Sequence, residues 1–178
     1  MRIIAGEFKG RKLNTPKDDA VRPTTDKVKE ALFSIIQDHL DGAEVCDLFA
    51  GTGNLGLEAI SRGACKCWFG DHAGSSIRII SENIALCRAE DRAEIVQGDY
   101  AKVLDRIREP IDVFLLDPPY HRELLEKSIE MISSKDLLAD GGIIVTEHHR
   151  EKNMPDTIGR FEKIKEKRYG RVVLTIYV

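Results

Sequence analysis

Between residues 43 and 149, short apolar runs alternate with segments of helical pattern, and no other feature of the chain restricts its fold as strongly. The runs at 43–49 (AEVCDLF), 65–71 (CKCWFGD), 93–99 (AEIVQGD), 111–117 (IDVFLLD) and 141–149 (GGIIVTEHH) read as strands. Helical patterns fill 54–62, 75–88, 100–108 and 124–133 between them. Strict alternation of this kind implies a parallel sheet with right-handed crossovers and helices on both faces. The run IDVFLL is apolar at nearly every position, which suits a central strand buried on both sides. Beyond it, 161–170 and 171–178 read as two strands around a tight Tyr169–Gly170 turn. They complete a seven-stranded, mostly parallel α/β sheet with an antiparallel C-terminal hairpin.

About forty residues precede this core. Residues 2–8 and 11–15 flank Lys9–Gly10 as the arms of a hairpin, and Pro16 breaks the pattern. Thr24 or Thr25 is a plausible N-cap for a helix running to about Leu40. Its apolar stripe is Val28, Ala31, Leu32, Ile35 and Ile36, and Gly42 closes it. The organisation expected is one domain over 1–178, with 1–40 an extension and 41–178 the catalytic core.

No apolar run approaches the ~18 residues that span a bilayer, and the N-terminus has no apolar signal-like segment, so a cytoplasmic location is expected. The four cysteines, Cys46, Cys65, Cys67 and Cys87, form no metal-ligand spacing and read as small residues in or near the core. No metal is expected. Cys65 and Cys67 are expected to share one strand face. Net charge is -3, but it is unevenly placed. Residues 1–17 hold Arg2, Lys9, Arg11, Lys12 and Lys17 against Glu7 alone, and residues 148–178 hold eight Lys/Arg against four Asp/Glu. An acidic body with basic ends suggests that a polyanion is met at the ends.

Residues 47–56 (DLFAGTGNLG) pass from a strand into a helix. Gly51, Gly53 and Gly56 allow a sharp turn and close approach of a nucleotide-like ligand to a helix N-terminus. Asp71, twenty residues past Gly51, ends the second strand, where a carboxylate can accept both hydroxyls of a ribose; Asp99 ends the third. This pattern also fits dinucleotide binding. Asp47 favours S-adenosylmethionine (AdoMet), because a carboxylate just before the loop attracts a cationic methionine moiety and repels a pyrophosphate. Asp99 adds an acceptor where an adenine amino group needs one.

Asp117-Pro118-Pro119-Tyr120 follows the fourth strand directly. Ligands of open α/β sheets lie at the carboxyl ends of strands near the switch point, and two prolines stiffen the loop there. An exocyclic amine on a nucleic-acid base is a weak nucleophile because its lone pair is delocalised into the ring. Asp117 and the Pro118 carbonyl can each accept one of its N–H groups and support the charge that grows on nitrogen. Asp117 can also take the proton. Tyr120 can stack on a splayed base.

Together these residues resemble the bacterial RsmD-type 16S rRNA guanine-N2 methyltransferases. The resemblance covers nearly the whole chain. It is most specific at Arg2–Gly6 with Lys9–Leu13, at Arg22–Glu30, and from Asp47 through Ala59. It implies a Rossmann-like class I methyltransferase fold and AdoMet as donor, with S-adenosylhomocysteine as product. The implied substrate is 16S rRNA within a small-subunit assembly particle, with no membrane and no obligate protein partner. Carried across, the cofactor residues are Asp47, Phe49, Ala50, Gly51, Thr52, Gly53, Gly56, Asp71, His72, Asp99 and Tyr100. Asp117, Pro118, Pro119 and Tyr120 would grip the guanine, and Lys9, Arg11, Lys12, Arg22 and Thr24 would meet the RNA. One departure is Ala73, where relatives commonly carry a second acid.

Three rivals share parts of this pattern. A DNA adenine-N6 or cytosine-N4 methyltransferase would use the same Asp-Pro-Pro-Tyr chemistry, but no target-recognition segment for duplex DNA is evident. An NAD-dependent oxidoreductase would need a proton relay such as Tyr-x-x-x-Lys, which is missing after the fourth strand. A non-catalytic RNA-binding assembly factor would not need Asp117 or the glycine loop. His148 and His149 read as strand-end surface residues.

Overall fold

The structure is a computed structural model that describes residues 1–18, 24–119 and 123–178. The expected Arg22 and Tyr120 roles lie outside the described residues. Strands β1 (Glu44–Asp47), β2 (Lys66–Asp71), β3 (Ala93–Gln97), β4 (Ile111–Leu116) and β5 (Leu138–His149) run parallel. Between them stand α2 (Asn54–Ser61), α3 (Gly74–Cys87), α4 (Tyr100–Arg106) and α5 (Leu124–Ser134). After β5 come a two-residue β6 (Thr157–Ile158), β7 (Phe161–Tyr169) and β8 (Val172–Tyr177). The sheet order is β3-β2-β1-β4-β5-β8-β7-β6, with β8 antiparallel to both β5 and β7. The seven expected strands are therefore present, and β6 adds a short eighth at the edge.

Chain order reverses between β1 and β4, so the crevice at their carboxyl ends is the switch point. Both faces of the sheet are covered. Val28, Leu32, Phe33 and Ile36 of α1 (Asp26–Ile36), with Leu57 of α2 and Ile80 of α3, pack on the side of Val45, Phe69 and Leu115. Val103 of α4 and Leu125 and Ile129 of α5 pack with Cys46, Phe114 and Tyr177 on the other. Alternating side chains of β1 and β4 thus feed opposite cores, as buried parallel strands require.

Three expectations change at the edges of this frame. The N-terminal hairpin forms only one ladder bridge, Arg2 to Lys12, instead of two strands. Ile3, Gly10 and Leu13 N–H donate across it, to the carbonyls of Arg11, Ile3 and Met1, but Ile4 and Ala5 N–H go to the Glu58 carboxylate and Phe8 N–H goes to Ser61 Oγ. The helix α1 is capped by Thr25, whose hydroxyl accepts from Val28 N–H at 3.3 Å, and a 3-10 turn over Gln37–His39 continues it. Its buried face includes Lys29, which no apolar pattern shows. Cys65 lies before β2 and is exposed while Cys67 is buried, so they do not share a face.

Glu58 and Lys29 are the centre of a dry network. Lys29 Nζ donates to Glu58 Oε2, to Asn54 Oδ1 and to the Arg2 carbonyl, and Arg62 reaches Glu58 Oε1 at 2.8 Å. Burial pushes the Lys29 ammonium below its usual range, and Glu58 counters this. The first residues of the chain are thereby strapped along α2, from the glycine loop down to Ser61.

Candidate active site

The loop after β1 is pinned from both neighbouring strands: Leu48 N–H donates to the Leu115 carbonyl and Ala50 N–H to the Gly70 carbonyl. Gly51 (φ 60°) and Gly53 (φ 81°) adopt left-handed conformations that only glycine takes cheaply. Among the described residues a methyl group on Gly51 would meet no atom within 4 Å, so they leave open space over the loop. Gly56 behaves differently. A methyl there would collide with the Phe69 ring and Cys67 Sγ. Expected to line a cofactor, Gly56 instead lets α2 press onto β2 and donates its N–H to Asp47 Oδ2 at 2.9 Å.

Asp47 is 1% exposed, and among the described residues its Oδ1 has no hydrogen-bond partner. Burial pushes its carboxyl up to about 7; the Gly56 N–H opposes this, and Asp117 and Asp71 add to it. A desolvated carboxyl with an orphan oxygen costs stability and is relieved by a cation placed against it. The space above Gly51 and this orphan oxygen fit a ligand that combines a nucleoside with positive charge, as AdoMet does.

Asp71 stands at the end of β2 and shapes the loop itself. Its Oδ2 accepts from Gly51 N–H at 3.0 Å and its Oδ1 from Ala73 N–H at 2.9 Å. Each oxygen keeps a lone pair for a further donor. His72 is exposed, with Nδ1 3.8 Å from Asp71. Asp99 N-caps α4 through Lys102 N–H and is exposed, while Tyr100 and Phe49 are half-buried on the α4/α5 side. Ala50 is buried. Thr52 turns away from the open space: its hydroxyl faces Met1 Sδ and its carbonyl accepts from Asn83 Nδ2.

One strand over, Asp117 follows β4 and is half-buried with Pro118, while Pro119 is exposed. Leu116 pairs with Thr146, so Asp117 and Glu147 come next to one another at the ends of β4 and β5. Thr24 joins them. Its hydroxyl lies 3.4 Å from Asp117 Oδ2 and 3.2 Å from Glu147 Oε2. A hydroxyl carries one hydrogen, so it donates to one carboxylate and can pair with the other only by accepting. Burial is the main cause that raises both carboxyls; Asp117 raises Glu147 further, and the Thr24 hydroxyl opposes both shifts. Two carboxyls held this close and this far from solvent disfavour being ionised together. Sequence reading missed Glu147, because an acid in a strand that continues into His148-His149 looks like a solvent-side position. Only the β4–β5 register shows it beside Asp117.

The expected RNA contacts divide by position. Arg11 Nη1 donates to the carbonyl of Leu86, near the end of α3, and its guanidinium lies 5.0 Å over the Phe8 ring. Leu86 is twelve residues past Gly74, about 18 Å along the helix axis from its start. Lys9 and Arg11 are thus at the amino end of the sheet, opposite Asp117. Lys12 pairs with Arg2, nearer the glycine loop, and Thr24 is at the site itself. A different basic group stands at the carboxyl edge. Val172 pairs with both His149 and Tyr169, so the β7–β8 turn extends beyond Glu147. Arg150 and Arg171 meet there through Arg150 N–H and the Arg171 carbonyl, and among the described residues neither side chain has a partner. Arg168 is exposed and 3.6 Å from Glu166.

His148 corrects another expectation. It is buried between β5 and β8, with Nε2 2.8 Å from Thr175 Oγ1 and Nδ1 3.0 Å from the His149 carbonyl. Burial lowers its pKa and keeps it neutral. Its role is sheet packing.

Comparison with known proteins gives a consistent result. Residues 1–178 match the family model described as "Conserved hypothetical protein 95". The Bacillus subtilis "Putative rRNA methyltransferase YlbH" is 36% identical over 180 residues, covering 99% of this chain and 98% of that protein. "Ribosomal RNA small subunit methyltransferase D" of Escherichia coli is 33% identical over 177 residues, 99% of this chain and 89% of the relative. The solved structure of yhhF from Escherichia coli superposes with a TM-score of 0.88 at 34% identity, covering 99% of this chain and 96% of the other.

Proposed function

The chain belongs to the Conserved hypothetical protein 95 family, the family of small-subunit rRNA methyltransferase D, and from that premise we propose that it transfers a methyl group from AdoMet to the N2 amine of a guanine in 16S rRNA. The observation that carries the reading is the juxtaposition at the switch point. A buried acid with an orphan oxygen closes β1, and a rigid Asp-Pro-Pro loop closes β4 beside it.

AdoMet supplies, when bound, a methyl group on a cationic sulfur. Asp47 is the counter-charge for that cation, and the Gly51–Gly53 turn leaves room for the ligand to lie over it. Asp71 keeps an acceptor available for ribose hydroxyls while holding the loop in shape, and Asp99 stands beyond it on the adenine side. Asp117 accepts one N–H of the guanine amine and, with the Pro118 carbonyl, orients the nitrogen toward the methyl group. As the N–C bond forms and the S–C bond breaks, positive charge on nitrogen is stabilised by Asp117. The proton then leaves nitrogen for the Asp117–Glu147 pair. Tyr120 stacks on the base.

The RNA is proposed to cross the carboxyl edge of the sheet. Thr24 and Lys12 would meet it on one side of Asp117, and Arg150, Arg168 and Arg171 on the other; Arg22 is proposed as a further phosphate contact. Lys9 and Arg11 would then bind only RNA that wraps to the far end.

The test is direct. Small-subunit particles from cells lacking this protein are incubated with the purified chain and AdoMet, and the 16S rRNA is digested and mapped by mass spectrometry. A single new N2-methylguanosine is expected. Methylation of adenine or cytosine instead, or none at all, overturns the proposal.

A further inference from the structure

The second carboxyl at the end of β5 has no part in holding an amine, yet its placement suits a second task. Resting on the guanine reading above, we propose that Glu147 determines the choice of base, its carboxylate accepting the N1–H of guanine while Asp117 holds the neighbouring 2-amino group. The geometry comes from adjacent strands, whose spacing is about 4.8 Å, and from the Thr24 hydroxyl that touches both carboxyls. Two acceptors side by side match an edge with two parallel donors. Guanine has such an edge, N1–H beside N2–H. Adenine and cytosine place a bare ring nitrogen beside their amine, and a carboxylate there would face a lone pair.

An independent observation marks this as a place for a ligand. Asp47, nine-tenths buried and more, keeps an unpartnered oxygen on the neighbouring strand and interacts electrostatically with Asp117. Three desolvated carboxyls converge on the crevice, and they suit the N–H donors of a base beside the positive charge of AdoMet. Desolvated acceptors of this kind reject an analogue that lacks the matching donor far more strongly than they reject a change of shape.

The experiment uses small-subunit particles reconstituted with 16S rRNA carrying either guanosine or 2-aminopurine riboside at the mapped nucleotide. 2-Aminopurine keeps the reactive amine and turns N1 into an acceptor. The wild-type enzyme is expected to favour guanosine by about 100-fold or more in kcat/KM. In Glu147→Gln the amide can either accept from N1–H or donate to N1, so the preference should fall to within about tenfold. AdoMet affinity, measured by calorimetry, should stay within a few fold and reports that the variant is folded. Equal use of both bases by the wild type overturns the inference, and so does a preference unchanged in Glu147→Gln. In either case guanosine methylation by the wild type still stands, so the proposed function survives the loss of this inference.

Discussion

Replacing Asp47 by Asn isolates the energetic cost of the buried acid proposed as the cofactor's counter-charge. In the folded chain this carboxyl titrates near 7, against 3.8 for an unperturbed aspartate, chiefly because of burial. Below pH 3.8 it is protonated in both folded and unfolded states and contributes nothing. Between 3.8 and about 7 the unfolded chain releases the proton and the folded chain keeps it, so stability falls as pH rises. Each pH unit in that window removes ~1.4 kcal/mol, so Asp47 alone takes about 3 kcal/mol between pH 5 and pH 8. An asparagine at this position resembles the protonated acid and does not titrate.

Urea unfolding of the wild type and Asp47→Asn across pH 5 to 8 measures this. The variant should already lead by about 1.6 kcal/mol at pH 5 and by about 4 kcal/mol at pH 8, so the gap should widen by about 3 kcal/mol over that range, roughly 1–2 M in urea midpoint. Saturating AdoMet should stabilise the wild type more at pH 8 than at pH 5, because its cation meets the ionised acid. The variant should lose that pH-dependent gain together with most of its AdoMet affinity. Parallel pH profiles for the two proteins would refute the assignment of this carboxyl as a stored electrostatic strain. Asp117 and Glu147 are raised in the same direction and are present in both proteins, so they cancel in the comparison apart from the Asp47–Asp117 repulsion, which the variant removes.

Three further outcomes are expected. Asp117→Ala should lower kcat by at least about 100-fold with AdoMet affinity within a few fold by calorimetry; near-normal turnover would remove Asp117 from the chemistry. Arg150→Ala with Arg171→Ala should raise KM for the particle and reduce the salt slope of binding by about 1–2, whereas Lys9→Ala with Arg11→Ala should change it less. The reverse order in filter-binding at graded salt would move the RNA path to the far end of the sheet. Glu58→Ala strands Lys29 and two backbone N–H groups and should cost about 3–5 kcal/mol in urea unfolding; a loss under 1 kcal/mol would mean that water replaces the network.

Local pattern made the frame legible. Strand and helix periods, the glycine spacing and the Asp-Pro-Pro run each depend on residues close in sequence, and all fell within a few positions of where the structure has them. What stayed hidden depends on pairing across the fold. Lys29 lies on the buried face of α1, where a charge is admitted only because Glu58, on α2, waits for it. Gly56 looked like a ligand-facing glycine until the Phe69 ring was seen against it. The N-terminal arms do meet, through Ile3 with Arg11 and Met1 with Leu13, but their ladder stays short because Glu58 and Ser61 take the N–H groups of Ile4, Ala5 and Phe8. Lys9 and Arg11 carry the right charge for RNA, but charge along a sequence says nothing about which end of a sheet it reaches.

The same strap gives the extension a role that its charge alone would not. Residues leading from Met1 run beside α2, return through Lys12 to Asn14, which exchanges hydrogen bonds with Asn83, and Asn83 in turn holds the carbonyl of Thr52 in the glycine loop. Ten residues after Asn14, Thr24 stands between Asp117 and Glu147. Under the proposed function, Thr24 thus joins the acids at the ends of β4 and β5 to an extension whose Asn14 is tied to the glycine loop through Asn83. Cutting that anchor with Asn83→Ala leaves Asp47, Asp117 and Glu147 in place, so a loss confined to AdoMet affinity would mean that the strap only supports the loop. A fall in AdoMet affinity together with a rise in KM for the particle is expected, because Asn83 holds both the Thr52 carbonyl of the glycine loop and the Asn14 backbone of the extension.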